Sequence, residues 1–196
     1  MKKSTIIWIV VGLVVLLLFV GFKGTYNRMV NMEEAVTAQW SQVENVYQRR
    51  ADLIPNLVNT VKGYAAHEQE TLEAVINARS KATGVNLNAE NLDENSIQQF
   101  EQAQAGLTSA LSRLMVVVER YPDLKANQNF RDLQVQLEGT ENRITNERRK
   151  FNEVTQAYNT FIRNFPQTIY ARIFGFNRKA YFEAAEGADV APTVEF

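Results

Sequence analysis

The chain contains one histidine, His67, followed directly by Glu68. A zinc-protease helix needs a second His four positions on, where this sequence has Thr71, and no other His exists to serve as a ligand. His67 therefore reads as a partly exposed polar residue on a helix. The absence of cysteine excludes thiolate metal sites, thiol nucleophiles, disulfides and a lipid-modified N-terminal Cys. Serines and threonines are scattered without a base to activate them. The GFKGT stretch at Gly21–Thr25 lacks both the glycine spacing and the strand-to-helix setting of a phosphate loop. No catalytic, cofactor-binding or metal-binding set is expected.

More informative are polar residues that fall at or beside the apolar positions of long stripes. From Tyr26 onwards apolar residues recur at steps of three and four, the mark of a helix with one buried face. Met29, Met32, Val36, Trp40, Val43 and Tyr47 form the first stripe. Leu57, Val61, Leu72, Val75 and Ala82 mark the second, Ile97, Phe100, Leu107, Leu111, Leu114 and Val118 the third. The fourth runs Phe130, Leu133, Leu137, Ile144, Phe151, Tyr158. Arg49, Arg50, Glu68, Gln104, Glu141 and Arg148, with Glu147 nearby, interrupt or flank these stripes. Burying a charge is costly unless it is paired, so these side chains are expected to form an interhelical polar network that fixes helix register. The alternative is a polar cleft that holds a ligand.

The elements that would position them are all helical; no segment alternates with period two. An all-α, antiparallel four-helix bundle over residues 26–165 is expected. Gly84 ends the second helix, Asp93, Asn95 and Ser96 offer caps for the third, and Pro122 and Pro166 close the third and fourth. Pro55 is ambiguous. Either Asp52–Pro55 is a corner between two helices, or one long helix kinks at Pro55 and two further helices follow. The stripe keeps phase across Pro55, but matched helix lengths favour the corner.

Ahead of the bundle, residues 1–3 carry Lys2 and Lys3, and Ser4–Phe22 is an uncharged run dense in Ile, Val and Leu. At about 1.5 Å per residue it matches a hydrocarbon core of about 30 Å, so it reads as a single-pass transmembrane helix. Phe22 and Lys23 stand where a signal peptide would need small residues. Residues 166–185 mix aromatic and basic side chains. Ile169, Tyr170, Arg172, Ile173, Phe174, Phe176, Arg178 and Lys179 are expected to contact a membrane interface or a second copy, or to cap the open end of the bundle. Residues 186–196 read as a flexible acidic tail. A net charge of −1 argues against nucleic acid as a partner.

These residues together resemble the bacterial LemA family. The stretches that carry the resemblance are Tyr26-Asn27, Trp40-Ser41, RRADLIPNLVNTVKGYAAHEQETLEAVINAR from Arg49 to Arg79, and SALSRLMVVVERYPDLKANQNF from Ser109 to Phe130. LQVQLEGTENRITNERRKFNE and YNTFIRNFP follow. Arg131 and residues 86–94 depart from the pattern and are expected to be exposed. The resemblance implies a small single-pass protein of the bacterial cell membrane with an antiparallel bundle, and no settled biochemical activity. The expected function is a non-catalytic, membrane-anchored scaffold or adaptor that forms a homo-oligomer, with the lipid bilayer and unidentified membrane proteins as partners. The alternative is a sensor or ligand-binding bundle that signals at the membrane.

Overall fold

The computed structural model describes residues 3–85, 87, 89 and 92–183, without the side chains of residues 3–7, 10 and 14–20. Among the described residues the chain forms helices and no strand. They are α1 (Lys3–Lys62), α2 (Gln69–Gly84), α3 (Glu94–Val118), the single turn α4 (Pro122–Lys125), α5 (Gln128–Arg163) and α6 (Gln167–Phe174).

The expected corner at Asp52–Pro55 does not occur; α1 runs straight through Pro55. Pro55 lies on the exposed side while Ile54, Leu57 and Val58 are buried, so the apolar stripe stays in phase. The chain turns later, between Gly63 and Glu68. There the amides of Gly63 and Ala65 still bond back to the carbonyls of Asn59 and Val61 before the helix gives out. The long-helix alternative is corrected too, because α2 is separate and three helices, not two, complete the bundle with α1.

Contacts across the helices fix the topology. Gln39 and Arg50 of α1 reach Glu147 and Glu141 of α5, so these two run antiparallel. Gln104 of α3 donates to the Ala82 carbonyl of α2, and Arg79 of α2 donates to the Ala51 carbonyl of α1. The result is an up-down-up-down bundle in which α1 packs chiefly on α5 and α2 on α3. Because α2 has only 16 residues, about 24 Å, it covers only the last stretch of α1, after Arg50. The stretch of α1 from Met29 to Tyr47 is covered instead by Val85, Leu87, Ala89 and Leu92 of the α2–α3 connection and by the chain after α6. Leu92, expected outside, is 1% exposed. Arg131 is exposed as expected.

The core divides along the bundle axis. One apolar cluster gathers Ile54–Val61, Leu72–Ala82, Leu107–Val118 and Phe130–Leu137; the other gathers Met29–Tyr47, Leu92–Phe100 and Ile144–Ile162.

Ser4–Phe22 is helical and continuous with the first bundle helix. Among the described residues, no helix is long and apolar enough to cross a membrane. Most side chains of the expected transmembrane run lie outside the described residues, as does the expected tail at 186–196.

Helix starts are capped as polar chemistry requires. Asp93 accepts from the Ser96 amide at 2.7 Å and Asn127 accepts from the Phe130 amide at 3.0 Å. Asn127→Ala leaves that amide without its partner and is expected to lower the stability of the bundle by about 1 kcal/mol in chemical denaturation.

Candidate functional site

Between the two apolar clusters lies a polar layer centred on Arg50, which is only 2% exposed. Its position follows from the stripe: Tyr47 and Ile54 flank it on the same helix face, and the phase carries Arg50 inward. The guanidinium donates to Glu141 at 2.8 Å, to the Thr108 hydroxyl at 3.2 Å and to the Gln104 side-chain carbonyl. Gln104 passes the interaction on, donating to the Ala82 carbonyl at 3.2 Å. One arginine thus links α1, α3 and α5 directly and α2 through Gln104. Its Nε has no partner. Glu141 is 45% exposed, so the pair is open to water on one side.

Beside this layer Arg148 of α5 pairs with Glu101 of α3, donates to the Glu183 carbonyl at 3.0 Å and lies over the Phe182 ring. Burial raises the Glu101 carboxyl above its ordinary value, outweighing the opposite pull of Arg148. The Tyr47 hydroxyl is likewise pushed up by burial. The other expected network members lie apart. Arg49 is exposed. Glu68 sits at the far end of the bundle, where it accepts from Tyr121 at 3.0 Å and pairs with Arg120 at 3.1 Å.

Helices α3 and α5 face each other across a groove floored by α1. Half of the groove is open, a cleft of about 670 Å³ whose lining includes Arg50, Glu101, Gln104, Thr108, Glu141 and Arg148. The other half is filled by this chain's own residues 176–183, an irregular strap that follows α6 after Gly175, a left-handed residue with φ 77°. Asn159 donates to the Lys179 carbonyl at 2.8 Å and accepts from its amide at 3.0 Å. Asn152 makes the same pair of bonds to Phe182, both at 2.9 Å. Seven helical residues advance about 10.5 Å and three residues of extended chain about 9–10 Å, so the two amides meet the strap in register. Phe182 fills the space between the rings of Trp40, Phe100 and Phe151.

Of the expected contact residues, Ile169, Arg172, Ile173, Phe174 and Arg178 are exposed, while Tyr170 and Phe176 are half-buried. Lys179 corrects the expectation: it is 6% exposed and pairs with Glu33 at 2.9 Å, so it is an internal residue. The two apolar ends of that segment thus do different things, α6 facing outward and the strap inward. Sequence reasoning missed Glu101, Thr108, Asn152 and Asn159. The heptad spacing of the two asparagines beside the stripe of α5 was the available signal. Among the described residues no cluster of three or more His, Cys, Asp or Glu side chains could hold a metal.

Two outcomes follow. Arg50→Met leaves Gln104 buried without its donor and is expected to cost about 2–3 kcal/mol, whereas Arg49→Met on the exposed face should stay within about 0.5 kcal/mol. Denaturant titration of both variants measures the contrast. For Glu101 the folded state holds its proton more tightly than the unfolded chain, so its contribution is present at and below the ordinary carboxyl pKa and is lost as pH rises through the raised value. Glu101→Gln removes this titration, and between pH 4 and pH 7 the variant should gain stability relative to the parent.

Comparison with known proteins adds the lineage. A family model described as LemA family matches residues 39–196. Magnetosome protein MamQ 1 of Paramagnetospirillum magneticum is 28% identical over 183 residues, covering 84% of this chain and 66% of that protein. Magnetosome protein MamQ of Magnetospirillum gryphiswaldense is 29% identical over 181 residues, with the same coverage. Protein LemA of Metamycoplasma hominis is 22% identical over 165 residues, covering 84% of this chain and 72% of that protein. The chain therefore spans just under two thirds of the length of its MamQ relatives. With the family model extending over most of the bundle and the strap, this chain belongs to the LemA family.

Proposed function

We propose that this protein is a non-catalytic scaffold or adaptor of the bacterial cell membrane, anchored through Ser4–Phe22 and self-associating. The observation that carries this reading is α1: an uncharged apolar run continues without a break into the central helix of the bundle. Such a chain carries a folded domain on its anchor, and tethering raises the effective concentration at which weak contacts between copies become assemblies. Among the described residues no group of three or more His, Cys, Asp or Glu side chains could hold a metal ion. The names of the LemA and MamQ relatives assign them no reaction.

The open cleft favours a second reading, a bundle that binds a small ligand and reports it through helix shifts. Gln104 and Arg148 line the cleft, and the buried Arg50 forms part of its floor with one unpartnered nitrogen. Glu68, at the other end of the bundle, takes no part.

The deciding experiment on the first reading extracts the full-length protein from membranes in mild detergent and measures its assembled mass. Recovery in the membrane fraction and a mass of several chains are expected. Recovery in the aqueous fraction would defeat the anchor, and a monomeric mass across concentrations would defeat self-association.

A further inference from the structure

Helix α6 is docked against the end of the apolar run. Tyr170 and Phe174 each bring a ring centroid to 5.3 Å from that of Phe22, and Tyr26 meets Phe174 at 5.2 Å and Phe176 at 5.7 Å. These are edge-on ring contacts, the arrangement favoured by aromatic quadrupoles. They set the level of α6: it lies beside residues 22–26 of α1, where the uncharged run gives way to polar sequence.

The opposite face of α6 is uncovered. Ile169 and Ile173 stand one turn apart on it, 49% and 67% exposed, and Phe165, in the turn before α6, is 81% exposed. Three large exposed apolar side chains within nine residues are unusual on a solvated surface. Along the chain the charge next to them has one sign, although Asp93 and Glu94 lie beside Arg178. From Arg163 to Lys179 there is no acidic residue, and the exposed members Arg163, Arg172 and Arg178 are joined by Lys23 and Arg28 of α1, again with no acid between Gly21 and Asn31. The protein as a whole carries −1, so this end is a basic pole on a slightly acidic molecule.

Resting on the anchor reading above, we propose that α6 is an interfacial helix. It lies in the headgroup layer of an anionic bilayer, with Phe165, Ile169 and Ile173 in the acyl boundary and Arg163, Arg172 and Lys23 among the phosphates. A second copy of the chain is a poor occupant, because joining two such surfaces brings arginines against arginines. Lipid phosphates supply the missing charge, and the apolar line supplies the insertion. The inference adds a second attachment to the first: the bundle is held at its base by both α1 and α6, which fixes its angle to the membrane.

The chain has no cysteine, so a single introduced cysteine takes a spin label without background. Four full-length variants in vesicles of phosphatidylcholine and phosphatidylglycerol decide the matter: Ile169→Cys, Ile173→Cys, Leu13→Cys in the apolar run, and Val135→Cys on the exposed side of α5. The readout is collision of the label with oxygen, which concentrates in lipid, against a nickel chelate, which stays in water. Labels at 169 and 173 should favour oxygen several-fold over the label at 135 and respond as shallow versions of the label at 13. If the label at 13 is lipid-like while those at 169 and 173 match 135, the interfacial helix is wrong and the anchor stands. If the label at 13 is itself water-like, the anchor fails and this inference fails with it.

Discussion

Arg50 brings a full positive charge to a place that water barely reaches, and the bundle arranges itself around that charge. A guanidinium presents donors in a fixed planar fork, so its acceptors have to arrive from set directions. Glu141, Thr108 and Gln104 come from two other helices, and sliding any of these helices by one turn would strand the charge. Apolar clusters above and below tolerate small slips, because leucine against valine is nearly the same at neighbouring registers. The polar layer does not. A single residue thus ties four helices together, α1, α3 and α5 directly and α2 through Gln104.

The same layer divides the molecule into unlike halves. Beyond Arg50 the bundle is complete, with α2 and α3 packed on α1 and α5. On the near side α2 has ended, and the chain has to find other material to cover Trp40, Phe100 and Phe151. It uses its own continuation after α6, held by Asn152 and Asn159 through backbone bonds and by Phe182 through its ring. Burial raises the Tyr158 hydroxyl above its usual range, with Glu33 adding to the effect, and that hydroxyl donates to the Asn177 carbonyl of the strap at 3.0 Å.

Periodicity made most of this legible. The stripes named the buried residues of α1, α3 and α5, because a helix facing a core has to repeat its apolar residues every three or four positions. Arg50, Gln104 and Arg148 stood out by breaking the stripes with polar atoms. Pro55 misled because proline costs a helix one hydrogen bond and crowds the preceding turn, a penalty that packing of Ile54, Leu57 and Val58 offsets here. Gly63, a weaker breaker, marks the turn instead. The strap was harder to read: Asn152 and Asn159 hold it by its backbone amides and carbonyls, which are the same for almost any residue, and the spacing of those two asparagines was the one signal for it. Lys179 was misread with it, since a lysine beside aromatics looks the same in sequence whether Glu33 or a phosphate is its partner.

The unbroken α1 has a geometric corollary. Without a break between Phe22 and Met29, the direction of the apolar run is also the direction of the bundle's longest helix. The forty-one residues from Phe22 to Lys62 span about 60 Å, so the turn at Gly63, near Tyr121, stands about that far along the bundle from Phe22. A second molecule that touches both Phe22 and the turn at Gly63 of one chain has to be about as long as that stretch of helix.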